Sequence, residues 1–355
     1  MFEINSLTMK KNNTSRRKFI KNLASLSAGV SVATNKLWGI PNYLPNSSIT
    51  KKTINGVQLG LITYSFRALK DQSAEATLQY ILDCGVNSIE LMGKTAESFV
   101  GLPETSFDQL SFNRLLRKEQ KNILSKDEEK ELAELKKQQK AYDKEVKDWK
   151  KKRSIDRFND LRKMYNSAGV DIYAFKPNYL LRKGNNDADI NYAMQAGKTL
   201  GASHVTLELP KDSNHSLRLG RFAEKNGIKV AYHGHEQQHA HWWDIALKQS
   251  SHNAMNLDLG HYIAAGNTDA IELIKKQHPN ILSMHVKDRQ NPKNGKKNMP
   301  FGKGDTPIKE VLQMMRDKSY KFSATIEYEY QTPKDSSIIG EIKKSVEYCK
   351  NALES

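Results

Sequence analysis

Beyond Lys52 the chain alternates between short runs of β-branched, aliphatic and aromatic residues and longer segments whose apolar positions recur every three or four residues. Eight such runs stand at 57–65, 86–92, 170–176, 203–209, 228–234, 254–259, 281–287 and 322–329. Their shortness and near-continuous apolar character predict parallel strands buried on both faces. The intervening stretches, such as ATLQYILDCG before the second run and NYAMQAGKTLGA before the fourth, predict helices that close on glycine. Eight βα units in succession predict an α/β protein with a closed (β/α)8 TIM barrel rather than an open doubly wound sheet. No glycine-rich dinucleotide or phosphate loop follows the first run, which further weakens the open-sheet alternative.

One segment breaks the rhythm. Residues 112–157 are dense in Lys, Glu and Gln, yet Leu132, Leu135, Tyr142, Val146 and Trp149 fall at three-, four- and seven-residue spacings. An apolar stripe on a charged helix predicts a helical hairpin inserted after the second strand. It reads either as a solvated extension against the barrel or a partner subunit, or as a lid over the barrel mouth.

The net charge of +16 changes less than it first suggests. Residues 1–55 carry nine Lys/Arg against one acid, and residues 114–157 carry sixteen against ten. The remaining body is nearly neutral, which argues against nucleic acid as a partner. The leader contains Ser15-Arg16-Arg17-Lys18-Phe19-Ile20-Lys21 before a weakly apolar, small-residue stretch. This resembles a twin-arginine export signal, and the apolar stretch is too short and polar for a stable membrane span. Residues 1–48 are therefore expected to be a leader, 49–355 a single barrel domain, and the mature protein periplasmic. The two cysteines, Cys84 and Cys349, belong to no paired motif and read as small buried side chains, with a disulfide between them left open.

Ionisable residues gather at the strand ends, where a barrel places its chemistry. The fourth strand ends in Glu208, the fifth in His233-Gly234-His235-Glu236, and the sixth in Asn256-Leu257-Asp258-Leu259-Gly260-His261. The seventh supplies His285-Val286-Lys287-Asp288-Arg289 and the eighth Glu327-Tyr328-Glu329. Singly, each has an ordinary explanation, for instance an Asp that caps the next helix. Together they predict a metal site, because carboxylates are costly to bury side by side unless a cation compensates. Carboxylates with one or two imidazoles suit a single divalent ion, Mn2+, Mg2+, Co2+ or Zn2+.

The segments D-L-G-H at 258–261, H-V-K-D-R at 285–289, F-G-K-G-D at 301–305 and I-E-Y-E at 326–329 resemble the sugar phosphate isomerase/epimerase family. That family has the xylose isomerase-like barrel shared with ketose 3-epimerases, hydroxypyruvate isomerase and inosose dehydratase. The resemblance spans roughly 55–350, excludes the insertion, and implies metal ligands Asp258, His285 and Glu327. The fourth ligand departs from the family pattern, since the fifth strand carries His233 where many relatives carry Glu. Either His233 or Glu208 fills that place.

The implied activity is isomerisation or epimerisation of a carbohydrate by proton abstraction next to a carbonyl, through a metal-stabilised enediolate. Glu327 is expected as ligand and base with Glu208 as its counterpart, and Glu329 shares the inward parity of Glu327 and is able to replace it. His235, His261, Lys287 and Arg289 are expected to orient substrate, and Glu90 and Lys176 to reach the same pocket. The same site would serve a lyase or dehydratase, including one that cleaves 3-keto-glycosides. Two further readings are an endonuclease, which the neutral body disfavours, and a periplasmic sugar-binding barrel without catalysis. No Arg/Lys phosphate cluster is evident, which disfavours phosphorylated substrates. Relatives often dimerise, so a homodimer remains open.

Overall fold

A computed structural model of the chain describes residues 53–355 apart from 106, 178 and 179, so the expected leader lies outside the described residues. The eight predicted runs become eight parallel strands: β1 (Leu59–Ile62), β2 (Ser88–Met92), β3 (Asp171–Lys176), β4 (His204–Glu208), β5 (Lys229–His233), β6 (Asn253–Asp258), β7 (Ile281–Val286) and β10 (Ser323–Ile326). They close into a barrel in the order β1-β10-β7-β6-β5-β4-β3-β2. Two short strands, β8 (Asp288–Arg289) and β9 (Asn298–Met299), form a separate antiparallel ribbon at the mouth. The predicted runs overshoot because their last residues leave the ladder for the βα loops. Glu327, for instance, lies past β10, though its N–H still donates to Val286 O at 3.0 Å.

The helices start and stop where local chemistry dictates. Ser73 caps Ala74–Asp83 and Asn186 caps Asp187–Leu200, each accepting a backbone N–H. Gly201 then ends the second of these at φ 86°, a conformation that glycine adopts without Cβ strain. Among the described residues no helix is long and apolar enough to cross a membrane. Cys84 and Cys349 are both buried and unpaired.

The barrel interior is more polar than its strands suggest. The outward faces pack apolar side chains on the helices, whereas the inward positions carry a column of hydrogen-bonded groups. Tyr173 and Thr325 share a hydroxyl contact at 2.5 Å, His204 Nε2 meets Ser283 Oγ at 2.9 Å, and Thr206 donates to Glu90 at 2.6 Å. Each of these six side chains is paired, which is the condition for burying it there.

The insertion forms the predicted hairpin. Helix Gln109–Gln120 meets helix Lys126–Lys152 across a short turn, and the longer helix starts with a capping box between Ser125 and Glu128. Phe107, Phe112, Leu115, Leu132 and Leu135 make a small core of the hairpin's own. Its far end is tied to the barrel through buried Asp189, which pairs with Lys150 at 2.6 Å and Arg153 at 2.8 Å. The Arg153 guanidinium lies 4.0 Å over the Tyr192 ring, and Trp149 meets the same ring edge-on.

Candidate metal and carbohydrate site

Strand register brings the predicted residues together. Glu208 pairs in register with His233, His233 with Asn256, and Asp258 with His285. Neighbours in register point to the same side of a parallel sheet, so this row faces the barrel axis at its carboxyl end.

Asp258, at the end of β6, is fully buried and divides its two oxygens. Oδ1 accepts the His261 N–H at 2.7 Å and caps the helix Leu259–Ala264. Oδ2 makes no hydrogen bond and lies 3.7 Å from His285 Nδ1 and 3.9 Å from His233 Nε2. The cap thus uses one oxygen, and the other is left facing the two histidines. His285 Nδ1 also lacks a hydrogen bond and sits 3.2 Å from Glu327 Oε2. Its Nε2 is 2.7 Å from Glu90 Oε2. Glu90 therefore holds the histidine from behind, the carboxylate–histidine arrangement that aims the opposite nitrogen at a metal.

These donors fit a divalent cation. Two buried atoms without hydrogen bonds, Asp258 Oδ2 and His285 Nδ1, converge with Glu327 Oε2, and His233, Asp258 and His285 bring ligand atoms within 4.8 Å of one another. A second group, Glu208, His233 and His235, meets the same criterion one step further out. His233 belongs to both, and its Nδ1 faces Asn256 Oδ1 at 3.4 Å, leaving Nε2 toward the cluster. The Glu208 side chain is 41% exposed, with Oε1 3.3 Å from Lys176 Nζ and Oε2 4.0 Å from His233 Nε2. The inner position is that of His233.

In this structure the positive charge facing the carboxylates comes from Lys287 and His285. Lys287 Nζ donates to Glu327 Oε2 at 2.8 Å and Glu329 Oε2 at 2.7 Å, and lies 3.0 Å from Asp258 Oδ2. Burial opposes ionisation of Asp258 and Glu327, but the Lys287 ammonium, aided by neighbouring histidines, holds both well below the usual carboxylate range. Burial likewise works against Glu90, yet His285 and Lys176 bring it down to about 2. His285 is held well above its ordinary value: burial disfavours its charge, and Glu90 and Glu327 overcome that. Burial keeps His233 neutral, well below its ordinary value, and pulls His261 down to about 4.

The remaining predicted residues divide by depth. His235 is half exposed, 3.8 Å from Glu208 Oε2, and its ring stands edge-on to those of His233 and His261. Arg289 joins His261 to Glu236 at the rim, bonding the latter at 2.9 Å. Lys176 is buried beside Glu208. Glu90, expected to reach a substrate pocket, instead lies wholly buried, with its oxygens engaged by Thr206, Asn256 and His285.

Several residues of the site were given no role from the sequence. Asn256 bridges Glu90 and His233, and its signal was its parity with Asp258 two positions on. Gln238 brackets the Asp258 backbone, donating to its carbonyl at 3.2 Å and accepting its N–H at 3.3 Å. Asp288 gathers the N–H groups of Gly302, Lys303, Gly304 and Thr306, which sets the F-G-K-G-D loop against the mouth. Gly260 is required by close approach, because a Cβ there would stand 2.6 Å from Lys287 Cγ.

The sequence profile of the xylose isomerase-like TIM barrel family matches residues 78–352. The chain belongs to that family. Solved structures of similar fold include a sugar phosphate isomerase/epimerase from Parabacteroides distasonis, 16% identical, with a TM-score of 0.53 over 86% of this chain and 97% of the other. The probable 3-DHS dehydratase AsbF from Bacillus anthracis is 14% identical, with a TM-score of 0.51 over 81% and 97%. The IolI protein, solved with a zinc atom, is 16% identical, with a TM-score of 0.53 over 83% and 98%. At these identities the likeness shows the fold that this xylose isomerase-like barrel shares with them. No curated protein matches the chain.

Proposed function

We propose that the protein is a divalent-metal-dependent isomerase or epimerase that removes a proton next to the carbonyl of a carbohydrate. The observation that carries this reading is the convergence of Asp258 Oδ2 and Glu327 Oε2 on His285 Nδ1, at 3.7 and 3.2 Å, inside a barrel mouth. Asp258, His285, Glu327 and His233 would hold the ion, with Glu208 next to them. When bound, the ion supplies Lewis-acid stabilisation of the negative charge that develops on the substrate oxygens.

The side chains divide the remaining work. Glu327 takes the proton, and Lys287 Nζ, bonded to its Oε2 at 2.8 Å, orients the carboxylate and balances its charge. Glu208, paired with Lys176 and open to solvent on one side, takes up a proton from solvent and delivers it to a different carbon or face, and Glu327 then releases its proton to solvent. His235, His261 and Arg289 line the rim and orient hydroxyl groups. The twin-arginine-like leader supports export to the periplasm, where the substrate would be met.

Elimination is the second reading, since a carbanion beside a leaving group expels it if reprotonation is slow. The similar fold of the protein called a 3-DHS dehydratase supports keeping it. One experiment tests both: metal content, then product analysis on simple ketoses and on a 3-keto-glycoside. About one divalent ion per chain, lost in Asp258→Ala and His285→Ala, together with turnover that falls about a thousandfold in Glu327→Gln, is the expected result. A folded wild type that holds no divalent ion would sink the mechanism.

A further inference from the structure

Beside the cluster lies a cavity of about 240 Å³ that the proposed chemistry leaves unused, its wall formed in part by Gly93, Glu97, Leu102, Tyr142 and Lys176. Lys176 belongs both to this wall and to the catalytic cluster, its Nζ being 3.3 Å from Glu208 Oε1. Gly93 and Lys176 come from the barrel, whereas Tyr142 comes from the long helix of the insertion. The hairpin therefore builds one side of a chamber that adjoins the site.

Glu97 marks this chamber as a binding site. It is 4% exposed, and its Oε1 has no hydrogen-bond partner. A buried carboxyl oxygen left without a partner is costly unless something arriving in the cavity satisfies it. Burial pushes the Glu97 carboxyl up to about 7 against the pull of Arg153 and Lys150, so near neutral pH it is able to donate or accept. Gly93 keeps the floor open: a Cβ at that position would come within 3.1 Å of Glu97 Oε1 and 2.9 Å of Lys176 O.

The wall's chemistry narrows the occupant. Lys94, Lys176 and Arg182 in the lining disfavour an ammonium group, and the partnerless Glu97 Oε1 calls for a hydrogen-bond donor, which a carboxylate or a phosphate dianion lacks. A neutral ring rich in hydroxyls suits both, with an apolar face against Tyr142 and its hydroxyls toward Glu97 and Lys176. We propose that this cavity is a second sugar subsite, so that the substrate is a disaccharide or other glycoside whose reacting ring lies at the Asp258–His285–Glu327 cluster. The proposal rests on the reading of that cluster as a carbohydrate site. It assigns the insertion the task of selecting two-ring over one-ring substrates.

Titration calorimetry on the metal-loaded protein tests it, with maltose, cellobiose and lactose as probes against glucose and galactose. At least one disaccharide is expected to bind about tenfold more tightly than its component sugars. That ratio is expected to fall toward one in Tyr142→Ala, and also in Glu97→Gln, which keeps the side-chain shape if the alanine variant perturbs the helix. Absence of disaccharide binding, equal affinity for one and two rings, or a ratio that survives both substitutions overturns the proposal. Asp258→Ala and the metal content of the wild type separate the two readings. If Asp258→Ala keeps the disaccharide preference but loses metal and turnover, both readings stand; if the wild type itself holds no divalent ion yet shows a preference that disappears in Tyr142→Ala, the subsite stands and the catalytic reading falls.

Discussion

The insertion and the barrel mouth are built from the same charged residue types, and they use them in opposite ways. On the hairpin, Lys136 and Glu119 pair at 2.6 Å with side chains 47% and 44% exposed. At the mouth, Lys287 and Glu327 pair at 2.8 Å with side chains 3% and 6% exposed. Distance hardly distinguishes them. Water does: exposed charges are screened and contribute little, whereas buried charges depend on one another. The hairpin's ion pairs decorate a helix that its own apolar stripe holds in place. Those at the mouth tie three carboxylates to one ammonium, and removing the ammonium strands all three.

That contrast can be broken at its buried end first. Lys287→Met leaves Asp258, Glu327 and Glu329 without their ammonium and is expected to lower stability by about 3–5 kcal/mol in metal-free buffer. Added divalent metal should recover part of that loss, by mass action on the folded state. Denaturant unfolding with and without chelator reads both effects, and an unchanged midpoint would show that the mouth is not governed by buried charge.

A smaller effect sharpens the same point with a single group. His204 lies wholly buried between Ser203 and Ser283, and burial, the leading cause, depresses it from 6.5 to about 4. The folded state then binds fewer protons than the unfolded chain between those values, so lowering the pH favours unfolding. Stability attributable to His204 is expected to be intact above pH 6.5 and to fall by about 3 kcal/mol as the pH approaches 4. His204→Gln should flatten that part of the pH–stability curve. The smallest expected change comes from the exposed side: Lys136→Ala should shift stability by less than about 1 kcal/mol, and less again in high salt. A loss as large as that of Lys287→Met would erase the distinction.

The contrast also explains what could be read from the sequence. Strand runs were legible because buried parallel strands are apolar on both faces, and the hairpin because its stripe repeats at helical spacing. Asp258, His285 and Glu327 were legible as charges at positions where a strand should be greasy. The place of Glu90 was not, because it depends on which strand lies across the barrel: Thr206, Asn256 and His285 come from three other strands. Which of His233 and Glu208 lies deeper was not legible either, because register and burial set it and composition does not. Glu97 gave no signal at all, being one acid in a short helix until the hairpin closes over it.

Asp258 carries a consequence for how such a barrel can change over generations. One of its oxygens holds the first turn of a helix while the other faces the site, so under the proposed function losing the residue would damage folding and chemistry at once. His285 and Glu327 carry no comparable capping duty. In a descendant that abandoned the proposed reaction, position 258 would stay restricted to residues that can still start the helix, a demand that positions 285 and 327 do not share. A short polar side chain there would then be a relic of architecture, outlasting the activity it once served.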